Sequence, residues 1–350
     1  MKKRFEKRIP LTQEILSKIP QIEELKAHWK GGLAISPQIL GLLKKSVIIT
    51  STGASTRIEG AKMTDVEIER FLKALKSNQP ENRDEEEVAG YADLLGRVFD
   101  NWQHMKLSES LILSFHEILL HYSKKDGQHK GKYKTKENLV VARNSRGEQV
   151  TIFEPTAPWL TKKEMDDVLY WTNEAISEKK LHPLLIAANF VFEFLAIHPF
   201  SDGNGRLSRA LTNLLILRAG YEYAPYVSLE EIIEERKDEY YASLRQTQKH
   251  HKTEHEDISA WLSFFLDVLL VQAQKAKEIM EHDDPTTLLS ERQLEVYTLF
   301  EGDVLAVLDI KAKLSHVPEV TIKQALARLV SLKLVERIGL GRATRYAKSK

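Results

Sequence analysis

The 350-residue chain contains no cysteine, which excludes a disulfide framework and any thiolate metal site. It also lacks an apolar run long enough to cross a bilayer. The most apolar stretch, residues 184–197, is broken only by Asn189 and Glu193 and is too short to span, so it reads as a buried core helix. No apolar segment follows the basic start Met1-Lys2-Lys3-Arg4 before Glu23-Glu24, so neither a secretory signal nor a membrane partner is expected, and a cytoplasmic location is. Internal repeats and low-complexity blocks are missing too. Charge of one sign is absent overall, since 51 Lys and Arg face 50 Asp and Glu. The balance hides an asymmetry: residues 311–350 carry ten basic residues against Glu319 and Glu336, leaving the remainder net acidic, so the C-terminal end faces a different partner. The length suits two or three domains with a sizeable core.

The informative segment is His198-Pro199-Phe200-Ser201-Asp202-Gly203-Asn204-Gly205-Arg206-Leu207-Ser208-Arg209. Pro199 ends the apolar helix near His198. A second helical pattern runs from Arg206 to Ala219, with Leu207, Leu211, Leu214, Leu215 and Leu217 on or near one face and Gly220 as its C′ residue. The glycine-rich turn thus feeds a helix N-terminus, where unpaired amides and the positive end of the macrodipole favour a phosphate. Arg206 and Arg209, three apart, can address one anion. Asp202 offers a hard oxygen to Mg²⁺. His198, with a reference pKa of about 6.5, suits proton abstraction from a hydroxyl. A helix C-terminus raises a histidine's pKa, so the site must offset that effect elsewhere.

Singly, these features are an ordinary turn, a helix end and a solvated arginine pair. Together they match His-Pro-Phe-x-Asp-Gly-Asn-Gly-Arg-x-x-Arg at every specified position, and in this the chain resembles the Fic family. The resemblance implies a mainly α fold, a helical core with a β-hairpin flap, that transfers AMP from ATP to a Tyr, Ser or Thr hydroxyl of a target protein and releases pyrophosphate. It implies His198 as general base, Asp202 as Mg²⁺ ligand, Gly203, Asn204 and Gly205 as anion hole, and Arg206 and Arg209 on the outer phosphates. Relatives with a bulky residue at the position of Gly205 act as kinases, so Gly205 favours nucleotidyl transfer.

Upstream, Ser55-Thr56-Arg57-Ile58-Glu59-Gly60 fits the family's inhibitory motif. On a helix Ser55 and Glu59 share a face and Gly60 ends the turn. The resemblance implies a Glu59–Arg209 ion pair that occupies the arginine meant for the γ-phosphate. Against a helix here stands the composition of residues 50–56, which is rich in β-branched and small residues with Gly53 inside. An ordinary capping or surface acid is the bland alternative for Glu59.

Residues 138–143 and 148–153 flank Asn144-Ser145-Arg146-Gly147, a hairpin signal. It is either a structural ribbon or, as the family's flap, an edge that holds a target segment by β-augmentation. Tyr240 and Tyr241 open a helical stretch, and a comparable pair in the family lies against adenine; core packing is the commoner fate of tyrosine. Gln248 stands where some relatives have an Asn for the base. His250, His251 and His255 include an i, i+4 pair, but Lys249 and Lys252 crowd it and no acidic second shell is fixed, so a solvated loop is expected.

Elsewhere, residues 11–29 read as two short helices or one kinked at Pro20. Residues 76–87 and 123–138 read as surface loops, and residues 281–287 as a linker. Residues 288–348 read as a small α/β winged helix. Ser290-Glu291-Arg292-Gln293 is a capping box, followed by helices to Phe300, from Leu308 to Leu314 and from Val320 to Leu332, then strands over 334–338 and 342–346 around Gly339-Leu340-Gly341. Lys323, Arg328, Arg337, Arg342 and Arg345 are candidate DNA phosphate contacts; protein docking is the alternative. The expected organisation is an N-terminal helical region with the inhibitory motif (1–87), a catalytic core (88–280) and the winged helix (288–350). Three functional classes follow: a self-inhibited protein adenylyltransferase, a de-AMPylase using the same site, and a DNA-binding regulator with a nucleotide-sensing core. A homo-oligomer is compatible with all three.

Overall fold

Apolar residues recur three and four apart over most of the chain, and helices dominate accordingly. The computed structural model describes all residues except 1, 11, 32–34, 36, 76–78, 139, 144–148, 282–288, 301–303, 333, 340–343 and 350. In order come α1 (Lys2–Lys7), α2 (Gln13–Gly31), α3 (Pro37–Glu59), α4 (Asp65–Ala74), α5 (Arg83–Asn101) and α6 (Glu109–Leu119), then the strands β1 (Val140–Arg143) and β2 (Gln149–Phe153). Next are α7 (Pro158–Glu178), α8 (Pro183–Ile197), α9 (Asn204–Arg218), α10 (Leu229–Glu235), α11 (Lys237–Gln248) and α12 (Ser259–Glu281). The chain ends with α13 (Glu291–Tyr297), α14 (Val307–Lys313), α15 (Glu319–Ser331), β3 (Val335–Ile338) and β4 (Arg345–Lys348). Two compact units result, Met1–Gly32 with Lys44–Ala276, and Leu33–Leu43 with Lys277–Lys350. No helix among the described residues is long and apolar enough to cross a membrane.

The first unit is built around α8, which is buried from Leu184 to Ile197 and packs between α7 and α9. Such an all-round apolar helix has to sit at the centre. Helix α9 is buried from Arg206 to Leu217 yet carries Arg206, Ser208, Arg209, Thr212 and Asn213, polar groups that need partners once water is excluded. Gly220, at φ 89°, follows α9 as its C′ residue, with Tyr221 N–H donating to Ile216 O at 3.1 Å.

One expectation changes and two open readings resolve. Residues 83–87 are not loop but the first turn of α5, because Asn82 caps it by accepting from Glu85 N–H and acids gather at its N-terminus. Helix α2 runs unbroken through Pro20, since Ile15, Ile22 and Trp29 are buried on both sides of it. Helix α3 forms over residues 50–56 despite their composition, because Ser51, Thr52, Ala54, Ser55 and Thr56 are fully buried against neighbours and packing overrides intrinsic preference. The strands β1 and β2 pair antiparallel, Val141 opposite Thr151 and Arg143 opposite Gln149; the turn at 144–147 lies outside the described residues.

In the second unit, α13 begins with the Ser290–Gln293 capping box, and Phe300, Ile310, Ile322, Leu326 and Leu329 form a core against which Leu42 also packs. Antiparallel β3 and β4 follow, with Leu305 bridging to Tyr346 as a third short edge. Of the second expected strand, Arg345 and Tyr346 lie in β4, which continues to Lys348, while residues 340–343 lie outside the described residues.

Candidate nucleotide site

The joint between α8 and α9 is fixed by backbone geometry first. His198 is the C-cap of α8 in the left-handed region at φ 52°, ψ 61°, a conformation that costs energy for a side-chain-bearing residue unless its surroundings enforce it. Here the enforcement is dense. Lys134 donates from its backbone to Pro199 O at 2.9 Å and from Nζ to Ile197 O at 3.1 Å and Asn138 Oδ1 at 2.8 Å. Asn138 donates to Phe200 O at 3.0 Å. The Asn204 side chain closes the loop on itself, accepting from Phe200 N–H at 2.9 Å and donating to Phe200 O at 2.8 Å. Its amide is therefore a loop clasp, which leaves an anion to the backbone N–H groups at the start of α9.

His116 supports the turn from below. It accepts from Gly131 N–H at Nδ1 (3.1 Å), which places its proton on Nε2, donating to Asp202 O at 3.1 Å. Its ring stacks on Phe200 at 3.8 Å and 13°. Burial pushes its pKa down to about 4, consistent with this neutral tautomer. Sequence reasoning missed His116, Lys134 and Asn138: a lone histidine in an apolar helix and two residues in a charged stretch carry no motif.

The charged groups converge at the N-terminus of α9. Arg206 Nη2 donates to Asp202 Oδ2 at 2.8 Å, its Nη1 stands 3.3 Å from Glu87 Oε2, and Arg83 stands 3.7 Å from Asp202. Burial disfavours the Asp202 anion, but Arg206 and the Gly203 N–H outweigh it and hold the carboxyl below its usual range. His198 is pushed down to about 4, by burial first and by Lys134 second, against the opposing pull of a backbone hydrogen bond, Glu59 and Asp202. That supplies the offset the helix end requires, and the imidazole is neutral near pH 7.

Glu59 meets Arg209 as expected, and Ser55, to which the sequence assigned no partner, meets it too. Arg209 donates from Nε to Ser55 Oγ at 2.8 Å, and from Nη2 to Ser55 O at 2.9 Å and Glu59 Oε1 at 2.8 Å. Burial opposes ionisation of Glu59, yet Arg209 holds its carboxyl below the usual range. Glu59 also lies over Gly205: a Cβ there would stand 2.1 Å from Glu59 Oε1 and 3.3 Å from Arg209 Nη1. Gly60 ends α3, with its N–H donating to Arg57 O and that of Ala61 to Thr56 O, both at 3.1 Å, the Schellman pattern that a glycine at positive φ permits. Among the described residues, Arg206 Nε and Arg209 Nη1 are buried without a hydrogen-bond partner. Two orphaned guanidinium N–H groups at one helix N-terminus call for an acceptor.

Tyr240 is buried in an aromatic layer, 6.0 Å from Trp261 and 5.8 Å from Phe264 between ring centroids. Tyr241 is half-buried, its Oη 3.5 Å from Ile58 O. His250 and His255 are exposed, but His251 is not in a solvated loop. Its Nε2 lies 3.1 Å from Glu193 Oε2 and 3.7 Å from Glu256 Oε1, an acidic shell supplied by α8 and the loop before α12, which the sequence did not show. Arg4 and Arg8 bind the same two carboxylates, so guanidinium charge already fills the place of a cation.

Comparison with known proteins agrees with this geometry. Residues 106–216 match the Fic/DOC family. Among characterised relatives, the protein adenylyltransferases fic-1 of Caenorhabditis briggsae and Caenorhabditis elegans are 33% identical over 142 residues and 36% identical over 107. These alignments cover 41% and 30% of this chain but only 24% and 20% of those proteins. A Fic family protein from Desulfovibrio desulfuricans G20 has the same fold across 97% of both chains, with a TM-score of 0.65 at 21% identity.

Proposed function

We propose that this chain is a protein adenylyltransferase that moves AMP from ATP to a hydroxyl of a target protein and restrains itself through Glu59. The observation that carries the reading is the α9 N-terminus, where orphaned Arg206 and Arg209 N–H groups, an ionised Asp202 and a neutral His198 surround one anion position. In the reaction the target hydroxyl oxygen bonds to the α-phosphorus and its proton passes to an imidazole nitrogen of His198. The bond from that phosphorus to the bridging oxygen breaks, and pyrophosphate leaves. Arg206 and Arg209 hold the outer phosphates, and Gly203, Asn204 and Gly205 supply backbone N–H groups. The half-buried Tyr241 is better placed than the buried Tyr240 to meet the adenine. The hairpin β1–β2 presents the target segment by strand addition.

Asp202 fits Mg²⁺, since it is an ionised carboxylate about one-third exposed beside the phosphate position. When bound, the ion neutralises phosphate charge. Asp202→Asn keeps an acceptor for Arg206 and removes the negative charge. Calorimetric titration with ATP is expected to show an affinity loss of about tenfold or more in Mg²⁺, and little change in EDTA. Unchanged affinity in Mg²⁺ would remove Asp202 from metal binding.

Labelled ATP tests the main reading. Label on protein supports transfer, loss of label from a modified target points to removal, and neither outcome together with operator binding points to a nucleotide sensor.

For the second unit we infer a winged helix that meets nucleic-acid phosphates. The basic excess confined to residues 311–350 supports this, although Lys323 pairs with Glu319 at 2.6 Å and Arg345 with Asp309 at 3.5 Å. Duplex DNA should bind with an affinity that falls steeply between about 50 and 200 mM salt as counterions are released. Salt-independent binding, or none, assigns this unit to protein docking instead.

A further inference from the structure

Glu59 is the last residue of α3, and a helix terminus frays unless something outside the helix holds it. The grip on α3 comes from α10 with its N-cap Ser228, and from Met63 and the first residue of α4, Asp65. Ser51 Oγ donates to Ser228 Oγ at 2.8 Å. Six residues further on in each segment, Arg57 forms a bidentate pair with Glu234, Nε to Oε1 at 2.7 Å and Nη2 to Oε2 at 2.9 Å. The remaining guanidinium nitrogen, Nη1, donates to Asp65 Oδ1 at 2.8 Å and to Met63 O at 3.1 Å. A planar fork with every nitrogen engaged fixes orientation as well as distance. Lys237 adds a longer contact to Arg57 O at 3.5 Å.

Gly53 explains how the fork fits. It lies one turn before Arg57 in the middle of α3, where glycine weakens a helix. A Cβ at Gly53 would stand 2.5 Å from Arg57 Nη1 and 2.4 Å from Asp65 Oδ1. The missing side chain is therefore the groove in which the Arg57–Asp65 pair lies. The same glycine that argues against a helix on composition is required by the contact that secures its end.

We propose that Arg57 is the positioning residue of the inhibitory contact. Its clamp onto Glu234, Asp65 and the Met63 carbonyl, laid over Gly53, sets the register of the last turn of α3 so that Glu59 stands over Gly205 against Arg209. Arg57 touches neither the phosphate position nor Arg209; it acts through Glu59. This rests on Glu59 being inhibitory, as proposed above. Loss of the clamp leaves the Glu59 carboxylate in the chain but lets the last turn fray, so release is partial.

The test uses the full chain, labelled ATP with Mg²⁺, and thermal unfolding of each variant. Arg57→Ala is expected to raise auto-labelling about fivefold, a typical coupling size, and to remain below Glu59→Gly. Glu234→Gln, which keeps shape and removes charge, should move the same way by less, and Arg57→Lys should be intermediate. The double variant Arg57→Ala with Glu59→Gly should label like Glu59→Gly alone, because a positioning residue has nothing left to position. A merely structural arginine would lower labelling in both backgrounds. Wild-type labelling by Arg57→Ala and Glu234→Gln overturns the proposal, as does a further rise from Arg57→Ala when Glu59 is already Gly. If Arg57→Ala does not fold, Glu234→Gln decides alone. If Glu59→Gly itself labels like wild type, the inhibitory reading falls and the clamp with it, an outcome distinct from failure of the clamp alone.

Discussion

His198→Ala should slow AMP transfer about a hundredfold to ten-thousandfold, the usual contribution of a general base, with ATP affinity close to wild type. In the proposed mechanism the two effects separate, because His198 receives the proton of the incoming hydroxyl and the phosphate contacts are assigned to Arg206, Arg209 and the α9 backbone. The comparison is best made in the Glu59→Gly background, where the proposed inhibition is removed, using single-turnover labelling and calorimetry. Near wild-type transfer would remove His198 from the mechanism.

The pH dependence adds a second arm to the same experiment. Burial and Lys134 hold His198 at about 4, below its ordinary value of about 6.5, so the neutral base persists as pH falls through 6. The rate should therefore show no acid limb near 6.5. A group whose folded pKa lies below its unfolded value contributes stability that is fully present above about 6.5 and is lost as pH falls through about 4. Because His116 shares this shift, loss of activity near pH 4 coincides with loss of stability, and unfolding must be followed alongside the rate.

The parts of this molecule that were legible in the sequence are those where chemistry and backbone demand coincide. Pro199 after His198, the glycines of the 203–205 turn and Gly220 past α9 each mark a helix boundary, and the residues between them carry the charge. The Glu59–Arg209 pair was legible only through the motif, since the two residues are 150 apart and nothing local links them. What remained hidden are groups whose role depends on where the chain returns. His116, Lys134 and Asn138 brace the turn from distant segments, and none has a distinctive neighbourhood in sequence. His251 was misread for the same reason: Glu193 and Glu256 reach it only after α8 is packed, and Arg4 and Arg8 then enter from α1. Gly53 is the sharpest case, because propensity counted it against α3 while its bare Cα is what admits the Arg57–Asp65 pair.

Glu59→Gly should raise auto-labelling at least about tenfold, equivalent to ~1.4 kcal/mol, under matched Mg²⁺ and ATP. The geometry explains why the gain does not cost the arginine its aim. Of the hydrogen bonds that orient Arg209, two come from Ser55, through Oγ and the carbonyl, and both survive the change. Removing Glu59 opens the space over Gly205 and leaves Arg209 Nη1, buried and without an acceptor among the described residues, for the γ-phosphate contact proposed above. ATP can then settle with its α-phosphate in line with the incoming hydroxyl. Arg209→Ala breaks the same ion pair but should not mimic the gain, since it deletes the contact that the released enzyme needs. The double variant Glu59→Gly with Arg209→Ala should stay poorly active, and this separates release of a phosphate-binding arginine from a general loosening of α3. Equal labelling by wild type and Glu59→Gly would refute inhibition through Glu59. High labelling by the double variant would refute the role of Arg209 while leaving that of Glu59 intact.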